Sequence, residues 1–122
     1  MQDVRNKLWE VQSLEFKTLS DTEEILYYKD GYYQFGGEYL IKKGCERTFG
    51  ELISLHGVGE IVGHVKRSTY IAREEVNKNP LILNFKNGLY SLETFELTEH
   101  THDIIITTHL PVEYDRHFLK NQ

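Results

Sequence analysis

Cysteine, long apolar runs and recognisable signal segments are scarce or missing in this sequence, and each scarcity excludes a class of protein. Cys45 is the only cysteine, so the chain forms no internal disulfide and no zinc site built on several thiolates. The longest apolar runs, such as Ile104–Ile106, are far too short to span a bilayer. The first residues lead into no apolar segment of the secretory type. These features predict a cytoplasmic protein without a membrane partner, in which Cys45 is a small buried residue on a helix.

Catalytic signatures are also missing. The sequence has no G-x-x-x-x-G-K-[ST] phosphate-binding loop, and no Asp-x-Asp pair on a strand of the kind that holds catalytic metal ions. The run Gly57–Gly63 departs by one residue from the dinucleotide fingerprint and lacks its strand–turn–helix context, so a helix start is the better interpretation. We therefore predict that the chain is not an enzyme and needs no cofactor.

The charge balance argues against strong independent binding to DNA, because the net charge is -5 and domains that grip the DNA backbone are usually basic. The charge is uneven, however. Basic residues gather between positions 64 and 86, whereas residues 87–115 contain no Lys or Arg and several acids. This asymmetry suits packing between neighbouring domains, and an ordinary solvated surface is an equally good interpretation.

Apolar periodicity and turn dipeptides predict an α+β fold with mainly antiparallel pairing. An N-terminal β-hairpin region turns at Asp30-Gly31, since a type I′ turn needs positive φ at both central positions. Two central helices follow, one over 38–53 that His56-Gly57 closes off, and one over 58–69. C-terminal antiparallel hairpins come after Pro80, with a turn at Asn87-Gly88. The predicted strands are 14–19, 24–29, 32–35, 81–86, 89–92, 95–98 and 104–110, the last ended by Pro111.

Three stretches, in this order and at these distances, resemble one family. They are 16–33, beginning Phe-Lys-Thr-Leu-Ser-Asp-Thr-Glu-Glu-Ile, then Asn79-Pro80 through Thr94, and finally His109-Leu-Pro-Val-Glu-Tyr-Asp115. Together they resemble the domain that precedes the superfamily-3 helicase in primase–helicases of phages, plasmids, archaeal elements and poxviruses. The resemblance implies residues 14–115 as an accessory domain, 1–13 as an N-terminal extension, and 116–122 as a tail or linker stub.

The resemblance implies a function as well. The domain would be non-catalytic, would link primase to helicase, and would support ring assembly or the positioning of DNA. It would act in the cytoplasm of the host cell. Its partners would be the helicase and primase domains of the same polypeptide or assembly, and single-stranded or forked DNA. The alternative is an autonomous DNA-binding module of winged-helix type, because two helices followed by a hairpin match that arrangement.

Candidate site residues follow from these hypotheses. Tyr32, Tyr33 and Tyr90, if exposed, would stack on single-strand bases. His100 and His102 are weak candidates for a metal site, since they face the same side only if the chain there is extended; a polar turn is the competing interpretation. The predicted nucleic-acid contacts are the basic side chains on and after the second helix: His64, Lys66, Arg67, Arg73, Lys78 and Lys86.

Overall fold

A computed structural model describes residues 14–52 and 54–115. The predicted terminal segments, 1–13 and 116–122, lie outside these described residues. The α+β class is confirmed, because the described chain forms two helices and two sheets. The chain folds into two compact units. The first comprises the residues up to Tyr28 together with Gln34–Arg73, and the second comprises Lys29–Tyr33 and the residues from Glu74 onward.

A four-stranded sheet contains β1 (Phe16–Leu19), β2 (Ile25–Lys29), β3 (Tyr32–Phe35) and β4 (Tyr70–Ile71) in the order β3-β2-β1-β4. Strands β1 and β2 pair antiparallel, whereas β1 and β4 pair parallel. Strand β4 was not predicted, because two residues are too few to show an alternating pattern.

The turn between β2 and β3 has the predicted geometry. Asp30 and Gly31 have φ angles of 57° and 91°, so both central residues occupy the left-handed region that a type I′ turn requires. This turn groups with the second unit, although most of β2 belongs to the first.

The first helix, α1 (Gly37–Phe49), begins at a pair of glycines and continues into a short 3-10 turn over Gly50–Leu52. Gly36 caps the helix with φ 96°. At Gly37, an added Cβ would lie 2.6 Å from Ile25 Cγ2 and 2.8 Å from the Ile25 carbonyl oxygen. Glycine is therefore required there, because α1 starts against the backbone of β2.

The second helix, α2 (Leu55–Thr69), starts three residues earlier than predicted. Ser54 caps it, since its Oγ accepts a hydrogen bond of 3.0 Å from the Gly57 backbone N–H. The expectation that His56-Gly57 closes off the preceding segment was wrong, because these residues form the first turn of α2. The apolar periodicity predicted for this helix is present as a stripe of Val58, Ile61, Val62 and Val65. Val62 belongs to the buried core with Phe16, Ile25, Ile41 and Cys45, and the other three residues of the stripe pack against that core.

A three-stranded antiparallel sheet lies in the second unit. It contains β5 (Ile82–Phe85), β6 (Gly88–Ser91) and β7 (Glu96–Thr98) in that order. The predicted turn is one residue out of register. Phe85 pairs with Gly88, so the central turn residues are Lys86 and Asn87, and neither has positive φ. Gly88 is instead the first residue of β6, with φ 155°, and a Cβ added there would collide with the Thr98 carbonyl oxygen.

Residues 104–115, which we call the strap, contain no strand, so the predicted strand over 104–110 was wrong. The strap makes isolated backbone hydrogen bonds to several segments in turn. The Leu110 N–H donates to the Asn84 carbonyl at 2.9 Å, and the Lys86 N–H donates to the Val112 carbonyl at 2.9 Å. The Tyr33 N–H donates to the Ile106 carbonyl at 2.8 Å. A ladder needs one continuous partner strand, and the strap changes partner along its length.

Three asparagines attach the strap by their side chains. Asn77 accepts from the Thr107 N–H at 3.0 Å and donates to Thr107 Oγ1 at 2.8 Å. Asn87 accepts from the Tyr114 N–H at 2.7 Å and donates to the Tyr114 carbonyl at 3.2 Å. Between them, Asn84 is buried and donates to the Thr108 carbonyl at 3.0 Å. These amides provide the hydrogen bonds that a neighbouring strand would otherwise supply.

Candidate functional site

The C-terminal half of α2 presents three of the six predicted nucleic-acid contacts. Arg67 and His64 are exposed and lie three residues apart, so they share one face of the helix. Val62 is buried in the core, which fixes the rotation of α2 and turns that face outward. Among the described residues, no carboxylate forms an ion pair with His64 or Arg67.

Lys66, by contrast, is engaged within the first unit. Its Nζ lies 3.1 Å from Glu38 Oε1, and the side chain is only 21% exposed. Lys42, on α1, lies 3.0 Å from the other oxygen of Glu38. Hydrogen bonds from the two lysines lower the pKa of Glu38, and the bond from Lys42 has the larger effect. Glu38 therefore holds both lysines in place, and Lys66 shares the single negative charge of this carboxylate with Lys42.

Arg73 is held by the turn between β1 and β2. Its Nε lies 2.7 Å from Asp21 Oδ2 and its Nη2 lies 3.2 Å from Asp21 Oδ1, which makes the pair bidentate. Glu24 lies 3.9 Å away on the same guanidinium. The hydrogen bond from Arg73 lowers the pKa of Asp21. Arg73 is therefore paired with carboxylates of its own unit.

The two remaining basic residues belong to the second unit. Lys78 Nζ lies 3.4 Å from Glu75 Oε2. Lys86 is exposed in the β5–β6 turn, and no acid in the described ranges pairs with its side chain. Three of the six predicted contacts, Lys66, Arg73 and Lys78, thus pair with acids. The other three, His64, Arg67 and Lys86, form no ion pair within the described ranges.

The three tyrosines considered for stacking on bases lie in the second unit, where each is buried or stacked on another ring. Tyr33 is fully buried, and its hydroxyl donates to the His102 carbonyl at 2.7 Å. Tyr90 is buried and stacks on Tyr114 with 4.5 Å between ring centroids. Tyr32 is half-buried and stacks on His109 at 4.9 Å. The condition for stacking on bases, an exposed ring, is therefore not met by Tyr33 and Tyr90, which supply apolar area to the interior of a small unit.

His100 and His102, the weak candidates for a metal site, contact different partners. His100 Nε2 lies 3.0 Å from Asn84 Oδ1 and 2.9 Å from the Phe85 carbonyl. Both are acceptors, so Nε2 carries the proton and donates to them. His102 Nδ1 lies 3.3 Å from Asp103. Within residues 14–52 and 54–115, no three His, Cys, Asp or Glu side chains are grouped as a metal site requires.

Cys45 is buried in the core of the first unit, as predicted, and burial raises the pKa of its thiol. Sequence reasoning missed a different group of residues, which are large, apolar and exposed. Leu52 and Leu55 are 90% and 92% exposed, and Phe95 is 71% exposed. An apolar residue at a turn, such as Phe95 between Thr94 and Glu96, is the pattern that would have identified such positions.

Comparison with known families decides the relationship. A family model described as D5 N terminal like matches residues 38–121, which is more than half of the chain. The chain belongs to this family. Members are non-catalytic N-terminal domains of D5-like primase–helicases, and the resemblance found in the sequence motifs is thereby confirmed. The match includes all but the first residue of α1, together with α2, β4, the β5–β7 sheet and the strap, whereas β1–β3 precede it.

A search of curated proteins found no match for this chain. Among the helices that the structure describes, none is both long and apolar enough to cross a membrane.

Proposed function

We propose that this chain is an accessory domain of a DNA-replication primase–helicase, and that it links primase to helicase and supports ring assembly or the positioning of DNA. Family membership supports the association with a primase–helicase. The observation that favours a linking role over independent DNA binding is the internal pairing of its basic residues. Lys66, Arg73 and Lys78 each form an ion pair with an acid of the same unit.

The remaining free charge supports only a subsidiary contact with DNA. Each phosphate contact releases counterions, so affinity and its dependence on salt both grow with the number of phosphates neutralised. Of the six predicted contacts, only His64, Arg67 and Lys86 have no acid partner among the described residues. A domain with this surface guides DNA that other domains of the assembly already hold.

Forked DNA with a fluorescent label tests this role by anisotropy at low and at physiological salt. We expect binding at physiological salt to be no tighter than about 10 μM, in the range of non-specific contacts. Arg67→Glu is expected to weaken the binding at low salt. Lys43→Glu is the matched control, because Lys43 is an equally exposed cation on α1 outside the proposed contacts.

A second candidate function is the autonomous DNA-binding module. The exposed pair His64 and Arg67 on one face of α2 favours it. The β5–β6 hairpin, which would serve as the wing, groups with the other compact unit. Binding tighter than about 0.1 μM at physiological salt, abolished by Arg67→Glu without change in Tm, would favour this module over the accessory role. Lys66→Glu is unsuitable as a probe, because it would place a second carboxylate against Glu38.

Association with a partner is the complementary test. The chain is mixed with the purified ATPase domain of a D5-like primase–helicase and examined by sedimentation velocity. The linking role predicts a complex, or a larger assembly of the ATPase domain than that domain forms alone. Independent sedimentation of the two proteins at tens of micromolar would contradict it.

A further inference from the structure

The two outer edges of the β5–β7 sheet differ in how they are covered. The strap bonds along the β5 edge, where the Asn84 carbonyl accepts from Leu110. At the other edge, β7 pairs with β6 alone among the described residues. All three β7 residues are exposed. An edge of this kind presents unpaired N–H and C=O groups to any extended chain that approaches.

Phe95 stands directly before this edge in a conformation that does not suit it. Its φ is 58°, in the left-handed region, which bulky side chains rarely adopt. The turn itself is well defined, since the Phe95 N–H donates to the Ser91 carbonyl at 2.8 Å. The ring is 71% exposed and therefore adds little to the core. Glycine or asparagine would satisfy the turn better, so the aromatic ring at this position serves something other than folding.

The charge around the edge selects the kind of chain that fits it. Glu93, Glu96 and Glu99 flank or lie on β7, and all are exposed. Lys86 is the only Lys or Arg between residues 79 and 115. A second copy pairing edge to edge would place these carboxylates against one another, which is unfavourable. An extended segment with basic side chains is complementary.

We propose that the outer edge of β7 binds an extended, basic segment of a partner protein, which adds a fourth strand to the β5–β7 sheet. Backbone hydrogen bonds to residues 96–98 hold the segment, its Lys or Arg side chains meet the glutamates, and an apolar side chain packs on Phe95. This inference goes beyond the accessory role and does not depend on any contact with DNA.

A synthetic eight-residue peptide of alternating Lys and Val, with a fluorescent label, is the probe. Two matched peptides accompany it, one with N-methyl groups on alternate backbone amides and one with Glu in place of Lys. We expect the Lys peptide to bind, the N-methylated peptide to bind at least about tenfold more weakly, and the Glu peptide not to bind. Hydrogen exchange of the amides of residues 96–98 should slow only with the first peptide. Equal affinity for the methylated and unmethylated peptides would overturn the proposal, because charge alone would then explain binding.

Variants of the chain separate this binding from folding. Phe95→Gly should weaken the Lys peptide about tenfold or more while Tm stays the same or rises, since glycine accepts the left-handed φ. Glu96→Lys should lose the Lys peptide and gain the Glu peptide. Glu46→Lys, an exposed change on α1, is the control and should alter neither affinity. Unchanged peptide affinity in Phe95→Gly would overturn the proposal. So would a dimer of the chain alone in which residues 96–98 become protected, because the occupant would then be a second copy.

Discussion

The first unit packs its two helices on a sheet through buried apolar residues, whereas the second unit joins its sheet to the strap through the amide side chains of Asn77, Asn84 and Asn87. Apolar packing has no preferred direction, so many residues of similar volume serve equally well. An amide group is directional, and each of its bonds requires a particular atom at a particular place. The two units should therefore respond differently to the same kind of substitution.

Truncation in the apolar core is expected to have the largest effect. Ile41 is 1% exposed and lies in the centre of the core of the first unit. Ile41→Ala should lower the free energy of unfolding by about 3 kcal/mol, through lost burial and the cavity left behind. Urea denaturation followed by circular dichroism at helical wavelengths measures this. Ile41→Val is the control and should lose only about 1 kcal/mol, as non-directional packing requires.

Replacing a polar side chain by an apolar one of similar shape should be almost as damaging in the second unit. Asn84 donates to the Gly31 and Thr108 carbonyls and accepts from His100 Nε2, at 3.0 Å in each case. Asn84→Leu leaves these three groups with fewer partners and should lose about 3 kcal/mol. Amide exchange in residues 29–33 and 104–110 is the measurement. A loss below about 1 kcal/mol would show that the network contributes little.

Two glycine substitutions compare the units at backbone level. Gly88→Ala places a Cβ against the Thr98 carbonyl oxygen. In Gly36→Ala the added Cβ has no atom within 4 Å, so the only cost is the positive φ, which alanine rarely adopts. We expect losses of about 2 kcal/mol and about 1 kcal/mol respectively. Thermal melts of the two variants measure the difference. Equal losses would mean that the β7 backbone moves away without resistance.

The smallest expected effect has the opposite sign. Thr48, in α1, buries its Oγ1 without a hydrogen-bond partner among the described residues. Thr48→Val keeps the shape and removes the unsatisfied hydroxyl, so it should leave stability unchanged or raise it by about 1 kcal/mol. Chemical denaturation beside Thr48→Ser, which keeps the hydroxyl and loses a methyl group, measures this. A loss in Thr48→Val would mean that the hydroxyl has a partner after all.

The sequence was most informative where structure is local. The Asp30-Gly31 turn and the apolar stripe of α2 depend on dihedral preference and on helical period, and both were predicted. Asn87-Gly88 carries the same dipeptide pattern, yet its glycine serves the close approach of β7 and the turn shifts by one residue. Turn preferences describe only neighbouring residues and do not include the contact between Gly88 and Thr98. The one-residue shift of this turn could therefore not be predicted.

The candidate site shows the same limit. The positions of Lys66 and Arg73 in the chain suggested a basic surface, but their partners Glu38 and Asp21 are distant in sequence. Likewise, the β-branched residues of Ile104–Thr108 are typical of a strand, yet they form part of the strap because its backbone hydrogen bonds go to several separate segments. Pairing across long separations is decided by the tertiary fold, which propensity does not describe.

The strap also determines how the second unit resists mechanical tension. Its attachments succeed one another along the chain, from Thr107 through Thr108 and Leu110 to Val112 and Tyr114. Tension applied at the Asp115 end of the strap therefore passes through the Asn87–Tyr114 pair, and so loads the β5–β6 hairpin, before it reaches Leu110, Thr108 and Thr107. The strap would detach by sequential rupture of these hydrogen bonds, one attachment at a time. The β5–β6 hairpin is therefore the element that bears a load applied at this end of the strap.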